Sequence, residues 1–210
     1  MPTDLPPGLV LSAFPERQDP RDAIIGEMPQ AAIVGTSSLR RAAQLKSTRP
    51  DIDIRDLRGN VDTRLRKQAE GQYNAILLAA AGLIRLGWQD RITQYLDPAE
   101  FVPAVGQGAL AIETRDDGAK GHQAVIKMDD PETRARLTAE RAALRALGGG
   151  CQVPMGAHAI LIDGAIKIHG IVVSQDGRFT IRAKAEGPVK DAENTGAELG
   201  QKLLDAGARL

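Results

Sequence analysis

A chain of 210 residues can form one or two domains with hydrophobic cores, and an aromatic content of 3% makes those cores aliphatic. Its 27 basic and 27 acidic side chains balance, which argues against nucleic acid as a partner held by bulk charge. The single cysteine excludes an internal disulfide, and the sequence shows neither an apolar run of membrane-spanning length nor a signal-peptide pattern, so we expect a cytoplasmic protein.

The charges are not evenly distributed along the chain. Residues 31–70 hold nine basic and five acidic side chains, whereas residues 1–30 hold two basic and five acidic ones. A local basic patch in a neutral protein suits a small anionic ligand better than a polyanion. The three histidines show no metal-ligand spacing with one another or with the cysteine, so no metal site is expected.

The N-terminal half is predicted to alternate strand and helix after an irregular start. Residues 9–14 form a short strand, and residues 15–22 read as a turn-rich crossing whose charges mostly face solvent. Three apolar strands follow, each leading into a helix: 31–34, 52–57 and 75–80. Their ends lie 23 residues apart, which is typical of βα units with a largely parallel sheet.

Hydroxyl and cationic side chains follow these strand ends. Thr36, Ser37 and Ser38 come after the first strand, at the start of a helix whose free N–H groups favour an anion. The arginines that follow the three strands are Arg40, Arg41, Arg58, Arg64 and Arg85. Ligands of open α/β sheets bind outside the carboxyl ends of the strands, and arginine in a first helical turn opposes the helix dipole. A bound carboxylate would offset this unfavourable interaction with the dipole, so the sequence predicts an anion-binding edge of the sheet.

The C-terminal part predicts a small α+β domain. After a strand at 109–114 and a helix at 118–128, a helix runs from 131 to 147, capped by Asp130 and stopped by Gly148. Three alternating strands follow, joined at two Asp-Gly pairs that predict hairpins, and a helix closes the chain: 157–162, 165–174, 178–185 and 190–206. His158 and His169 fall within strands, where cross-strand or surface roles are expected rather than catalysis.

The only cysteine, Cys151, follows three glycines in the loop after the long helix. A helix C-terminus disfavours a thiolate, which weakens the case for an activated nucleophile. A small buried apolar residue remains possible, and so does a covalent anchor for a prosthetic group, for which a loop with little side-chain bulk is suited. The residues alone leave these alternatives open.

Five motifs, in order along nearly the whole chain, resemble those of the porphobilinogen deaminase (hydroxymethylbilane synthase) family. They are Val34-Gly35-Thr36-Ser37-Ser38-Leu39-Arg40-Arg41, Leu57-Arg58-Gly59-Asn60-Val61, Ala79-Ala80-Ala81-Gly82-Leu83, Pro103-Ala104-Val105-Gly106-Gln107-Gly108 and Gly149-Gly150-Cys151-Gln152-Val153-Pro154. The resemblance implies a transferase of tetrapyrrole biosynthesis that condenses four porphobilinogens into hydroxymethylbilane with release of ammonia. It also implies a covalently attached dipyrromethane primer.

The resemblance assigns roles to individual residues. It places the dipyrromethane on Cys151 through a thioether, and it makes the arginines carboxylate ligands of the cofactor and of the growing chain. The implied non-covalent cofactor contacts are Thr36, Ser37, Ser38, Arg40, Arg41, Arg58 and Gly59, and the implied substrate contacts are Arg64 and Arg85. The partners expected are porphobilinogen and the linear polypyrrole, bound by a monomer without nucleic acid or membrane.

The expected fold is an α/β domain with a largely parallel, periplasmic-binding-protein-like sheet, plus a small α+β domain with a three-stranded antiparallel sheet and helices on one face. The predicted division is a remnant of domain one, an anion-binding domain two, a crossing segment with more of domain one, and a cofactor-bearing domain three: 1–13, 14–102, 103–128 and 129–210. Gln107 falls on the crossing segment.

The family has about 300 residues, so we expect an N-terminally truncated chain. Residues 1–6 resemble the segment that follows the family's His-Ser-Leu-Lys-Asp motif, whose aspartate handles protons and would precede Met1. No catalytic residue is therefore expected in this chain, and we expect it to be inactive alone. Asp19 and Asp22 match no such role. The alternatives are a non-catalytic small-anion binding module, which has no use for the cysteine loop, and an inactive product of a truncated gene.

Overall fold

The computed structural model of the protein describes residues 5–148 and 154–208. Three sheets organise these residues: a two-stranded, a five-stranded and a three-stranded one. The strands are β1 (Leu9–Ala13), β2 (Asp22–Gly26), β3 (Ile33–Gly35), β4 (Asp53–Arg55), β5 (Ala75–Ala79), β6 (Gln94–Tyr95), β7 (Ile112–Arg115), β8 (Met155–Ile162), β9 (Ala165–Val173) and β10 (Thr180–Pro188). The helices are α1 (Leu39–Thr48), α2 (Val61–Ala69), α3 (Ala80–Arg85), α4 (Lys120–Ile126), α5 (Pro131–Ala146) and α6 (Ala192–Asp205).

The five-stranded sheet has the order β4-β3-β5-β2-β6. The three predicted strands are β3, β4 and β5, and their mutual pairings are parallel, as predicted. β2 pairs antiparallel with both β5 and β6, so β6 runs in the same direction as β5 and β2 is the one reversed strand of this sheet. The sheet is mixed, and the expectation of a largely parallel sheet is confirmed for the other four strands. The sequence analysis missed β2 because five residues that begin with aspartate and end with glycine resemble a turn.

Helices α1, α2 and α3 connect the parallel strands and follow their carboxyl ends. Side chains of Ser38 and Asn60 cap α1 and α2, where they accept hydrogen bonds from the backbone N–H of Arg41 and Thr63. β5 is the buried centre of this part, because Leu77 packs on one face of the sheet and Ile76 on the other. The sheet therefore has a rigid middle with helix starts at one edge.

The segment 15–22 is less exposed than the turn-rich crossing with mostly solvated charges that the sequence predicts. The side chain of Arg17 is 3% exposed, and that of Asp22 is fully buried at the first position of β2. Both make ion pairs with residues far away in sequence, which a local pattern does not reveal. Asp19 and Arg21 pair with each other nearer the surface.

The α+β part has the predicted architecture. Asp130 caps α5 by accepting a 2.7 Å hydrogen bond from the N–H of Thr133, and Gly148 follows its end with a φ of 83°. Strands β8, β9 and β10 form an antiparallel sheet. Asp163 and Gly164 both have positive φ, as the tight hairpin turn between β8 and β9 requires. α5 and α6 pack on one face through a core that includes Leu199, Leu203, Ile166 and Ile168.

The end of strand β9 contacts the α/β part. Ile171 and Val173 of β9 pack against Ala43 of α1 and Val102. His158 and His169 lie opposite each other on β8 and β9, which confirms their cross-strand placement, and Nε2 of His169 lies 2.8 Å from the carbonyl of Pro98. β1 and β7 form the two-stranded sheet, with α4 against them.

The predicted domain bounds stay predictions. No helix among the described residues is long and apolar enough to cross a membrane.

Candidate anion-binding edge and the cofactor loop

The carboxyl ends of β3, β4 and β5 lie at one edge of the sheet because these strands are parallel. β2 is antiparallel, so its first residue, Asp22, lies opposite Ala79 at the same edge. The loops after β3 and β4 are tied together: the hydroxyl of Ser37 donates to the carbonyl of Leu57 at 3.0 Å. The edge thus combines the predicted hydroxyls and arginines with an aspartate that was not predicted.

The hydroxyls of this edge are partly used by the protein itself. The Oγ1 of Thr36 accepts a hydrogen bond from the N–H of Ser38, and the Oγ of Ser38 accepts one from the N–H of Arg41. Since both oxygens act as acceptors, each hydroxyl proton can still be donated to an anion. The same loop begins α1, whose first N–H groups lack intrahelical partners.

Arg40 and Arg41 point inward to Asp22. The Oδ2 of Asp22 accepts from Nη1 of Arg40 at 2.7 Å, and its Oδ1 accepts from Nε of Arg41 at 2.7 Å. The side chain of Asp22 is fully buried, and those of Arg40 and Arg41 are 5% and 11% exposed. Two arginines in a first helical turn were expected to need an anion. The carboxylate of Asp22, a residue of the chain itself, is one such anion.

Gln107 completes this group, which we call the Asp22 cluster (Asp22, Arg40, Arg41 and Gln107). Its Nε2 donates to the carbonyl of Pro20 at 2.7 Å and to Oδ1 of Asp22 at 3.1 Å. Its Oε1 accepts from Nη2 of Arg40 at 3.2 Å and from Nη2 of Arg41 at 3.3 Å. The crossing segment is thereby fixed to α1 and β2.

The charge in the Asp22 cluster is not balanced. Burial alone would raise the pKa of Asp22, but the charges of Arg40 and Arg41 outweigh burial and lower it, so the carboxylate is ionised. One carboxylate and two guanidiniums sum to +1, and among the described residues Asp22 is the carboxylate that pairs with them. Within the same residues, Nε of Arg40 is buried without a hydrogen-bond partner. An anion at this edge would meet a surplus positive charge.

The other predicted arginines are more accessible. The side chain of Arg58 is 86% exposed and pairs with the exposed Asp56, a contact of little strength. Nε of Arg64 donates to the carbonyl of Gly59, and Nη2 of Arg85 donates to that of Gly108. Each guanidinium has five N–H donors, so most of those of Arg64 and Arg85 are not spent on these contacts.

A second buried ion pair lies beside the first. Glu140 of α5 accepts from Nη1 of Arg17 at 2.6 Å and from the backbone N–H of Gly106 and Ala159 at 2.8 and 2.9 Å. We call Glu140, Arg17 and these two N–H groups the Glu140 cluster. Burial alone would raise the pKa of Glu140, but the charge of Arg17 and the hydrogen bonds outweigh burial and lower the pKa to about 2. Sequence analysis missed this cluster, since no local pattern pairs residue 17 with residue 140.

The predicted anchor Cys151, with residues 149–153, lies outside the described residues. The chain on either side of it is held firmly. Leu147 is buried at the end of α5, and the carbonyl of Pro154 accepts from the N–H of Val173 at 3.1 Å. Among the described residues, no group of three histidine, aspartate or glutamate side chains could hold a metal ion.

Two family models match this chain. Residues 1–123 match "Porphobilinogen deaminase, dipyromethane cofactor binding domain", and residues 134–205 match "Porphobilinogen deaminase, C-terminal domain". The chain belongs to the porphobilinogen deaminase family. The cofactor-binding description of the first match agrees with the dipyrromethane predicted from the sequence. The individual contacts of that cofactor stay predictions.

Relatives in this family align with the whole chain. A porphobilinogen deaminase of Syntrophobacter fumaroxidans is 50% identical over 216 residues, which cover 100% of this chain and 70% of the relative. Those of Chromobacterium violaceum and Thermus thermophilus are 48% and 46% identical, again over the whole chain and over 70% and 72% of their own lengths. Such identity makes the family membership independent of any single motif.

Proposed function

We propose that this chain is a transferase of tetrapyrrole biosynthesis, a hydroxymethylbilane synthase (porphobilinogen deaminase) that joins four porphobilinogens and releases ammonia. The observation that carries the proposal is the match of residues 1–123 to the cofactor-binding domain of the porphobilinogen deaminases. The cationic edge gives the chemistry a place, because porphobilinogen and its products are carboxylic acids.

The residues of the edge fit a dipyrromethane with acidic side chains. Arg58, Arg64 and Arg85 offer accessible guanidinium donors, and the Asp22 cluster offers a surplus positive charge. Thr36, Ser37, Ser38 and Gly59 supply hydroxyl and backbone groups around it. Each arginine–carboxylate pair in a sheltered site contributes about 1.5–3 kcal/mol, so several pairs hold the pyrrole chain in one orientation.

Cys151 holds the dipyrromethane covalently in this proposal. When bound, that group supplies the terminal pyrrole to which the first porphobilinogen is joined. The task of this chain's own residues is to bind and orient: Arg64 and Arg85 hold the carboxylates of incoming substrate, and the remaining edge residues hold those of the primer. Fixed carboxylates keep the reacting pyrroles at contact distance, which replaces an encounter in solution by a step within one complex.

Further features belong to the same proposal. The α/β part would be periplasmic-binding-protein-like, with its ligand at the carboxyl ends of the parallel strands. The balanced charge supports small molecules as partners rather than nucleic acid, and the single cysteine supports a reducing compartment, the cytoplasm. The chain would act as a monomer without contact to a membrane.

The test is the mass of the purified 210-residue chain produced in cells that make porphobilinogen. We expect an adduct of dipyrrole mass and a positive pyrrole colour reaction, both lost in Cys151→Ser. Since the chain has a single cysteine, the variant removes every thiol. An unmodified chain that still binds porphobilinogen would favour the non-catalytic anion-binding module, and an adduct that survives in Cys151→Ser would refute the anchor.

A further inference from the structure

The Asp22 cluster is unusual because a net charge of +1 is buried in it. A buried charge without a partner costs several kcal/mol, so proteins rarely keep one without a use. Asp22 neutralises one of the two guanidiniums, and Gln107, which also contacts both, is neutral. The side chain at position 107 therefore decides whether the cluster has a surplus charge.

The amide of Gln107 is fully used. Its two N–H donors face the carbonyl of Pro20 and Oδ1 of Asp22, and its oxygen accepts from Arg40 and Arg41. An amide has two donors and one oxygen with two acceptor positions, so all are satisfied here. A glutamate of the same shape would keep the contacts to the arginines and add a negative charge. With two carboxylates and two guanidiniums, the cluster would be neutral.

The charged groups around Gln107 leave the surplus in place. Asp22 faces it from β2, and Arg40 and Arg41 face it from α1. Arg17 donates from Nε to the backbone carbonyl of Gln107, but its charge is neutralised by Glu140. Arg85 donates to the carbonyl of Gly108, the residue after Gln107, and adds a further positive charge near the surface. No described carboxylate other than Asp22 contacts the amide.

We propose that Gln107 is a specificity-determining residue, whose neutral amide keeps the Asp22 cluster at a net charge of +1 and so reserves it for one anionic group of the ligand. The inference rests on the proposed function in that the natural anion would be a carboxylate of the pyrrole chain. Gln107 acts through the arginines and does not itself touch the ligand. An acidic side chain there would give the chain an internal substitute for its ligand.

The experiment measures the affinity of the 210-residue chain for inorganic sulfate by calorimetric titration at pH 7.5 and low ionic strength. Gln107→Glu removes the surplus charge together with the two hydrogen bonds that the amide donates. Gln107→Met removes all hydrogen bonds of the amide but not the surplus charge, so the difference between the two variants reports the charge. We expect Gln107→Glu to weaken sulfate binding at least about tenfold and Gln107→Met to weaken it less than about threefold, because a unit charge within a few ångströms is worth more than one tenfold step. Thermal unfolding checks that both variants fold.

Two further variants control the result. Gln123→Glu also adds a carboxylate, but on α4, where the side chain contacts the carbonyl of Gly118 and not the Asp22 cluster, and it should leave sulfate affinity within about threefold. Asp22→Asn raises the cluster charge to +2 and should tighten sulfate binding by about threefold or more, which tests the charge argument even if Gln107→Glu does not fold.

Equal weakening in Gln107→Glu and Gln107→Met would overturn the inference, because hydrogen bonding and not charge would then matter. So would unchanged sulfate affinity in Gln107→Glu, or no sulfate binding by the original chain. None of these outcomes depends on whether Cys151 is modified, so failure here and failure of the proposed function are distinguishable.

Discussion

The Asp22 cluster and the Glu140 cluster are neighbours with opposite designs. Glu140 has one arginine and two backbone N–H donors, and this ion pair is neutral and buried. The buried Nδ1 of His158 lies 3.7 Å from Glu140 and, like Nε of Arg40, has no hydrogen-bond partner among the described residues, so the clusters differ in charge balance. Asp22 has two arginines, a surplus positive charge and a guanidinium Nε without a partner among the described residues. Both contact the crossing segment, Glu140 through the N–H of Gly106 and Asp22 through the side chain of Gln107.

Under the proposed function, this difference distinguishes a structural ion pair from one that binds a ligand. A closed cluster such as that of Glu140 has nothing left to offer a ligand, so its loss should cost stability and nothing else. An open cluster such as that of Asp22 should cost stability and also change anion binding. Burial alone does not distinguish the two, because both carboxylates are completely buried. The balance of charges within each cluster distinguishes them.

The largest effect is expected for Glu140→Gln. It leaves the guanidinium of Arg17 buried without a counter-charge, and breaking a buried pair in this way costs about 3–5 kcal/mol. Denaturant unfolding of the chain should show this loss, and added sulfate should not restore it, since Arg17 is inaccessible. The control is Glu132→Gln on the same helix, whose exposed pair with Arg136 should change the free energy of unfolding by less than about 0.5 kcal/mol.

Asp22→Asn should destabilise the fold by about 3 kcal/mol in sulfate-free buffer, because two buried guanidiniums lose their counter-charge. Unlike the Glu140 variant, it should recover at least about 1 kcal/mol in sulfate, because an anion that binds only the folded state stabilises it by mass action. Unfolding at several sulfate concentrations gives the comparison. Identical sulfate dependence in the two variants would show that the clusters do not differ.

Acid should weaken the junction through Glu140. Its pKa is about 2 in the folded chain and 4.5 in the absence of the fold, so its stabilisation is complete above pH 4.5 and is lost as the pH falls towards 2. The loss between pH 4.5 and 3 should reach about 2 kcal/mol from this group. Asp22, whose pKa is also lowered, acts in the same direction. Glu140→Gln should show a shallower loss of unfolding free energy over this range, and an equal slope would contradict the assignment.

Within the open cluster, Arg40→Lys and Arg41→Lys should differ. Arg40 donates four hydrogen bonds, to Asp22 twice, to Gln107 and to the carbonyl of Val102, and lysine cannot replace this fork. We expect a loss of about 2 kcal/mol in unfolding free energy for Arg40→Lys and about 1 kcal/mol for Arg41→Lys. Sulfate titration should show the reverse order, with the larger loss of affinity in Arg41→Lys, because Arg41 is the more exposed of the two. The same order in both measurements would contradict this division.

The smallest effect on stability is expected for Arg58→Leu. Its guanidinium is exposed and its pair with Asp56 is weak, so the free energy of unfolding should change by less than about 0.5 kcal/mol. Binding of a dipyrromethane with acidic side chains should nevertheless fall several-fold, because one carboxylate of the primer loses its partner. Arg178→Leu is a suitable control with unchanged binding expected, because Arg178 is similarly exposed and pairs with Asp176 in the same way, but on the hairpin between β9 and β10. Equal binding by Arg58→Leu and the original chain would remove Arg58 from the site.

Elements with local signals were predictable from the sequence. Asp130, Pro131 and Gly148 bound α5, and the Asp163-Gly164 pair marks a hairpin, because caps and tight turns depend on residues next to one another. The parallel order of β3, β4 and β5 followed from their regular spacing. β2 was missed, and with it the direction of the strand that places Asp22 at the candidate anion-binding edge.

The arginines of the edge were predictable, but their partners were not. Two adjacent arginines at the start of α1 indicate that a carboxylate is needed, yet the sequence does not say which one. Asp22 becomes that partner only because β2 runs antiparallel to β5. Gln107 joins because the crossing segment returns to the sheet, 85 residues along the chain from Asp22. Such contacts depend on topology, which short motifs do not encode.

The Arg17–Glu140 pair also has a consequence for the order of folding. The two residues are 123 positions apart, so the pair closes a very long loop. The sheet of β8, β9 and β10, by contrast, is built from hairpin neighbours, and the helix pair α5 and α6 lies directly beside it. Local contacts form before distant ones because closing a long loop costs more entropy. We therefore expect amide protons of β8–β10 to become protected from exchange before those around Arg17 during refolding. The cluster that joins the two halves would be the last part of the molecule to form.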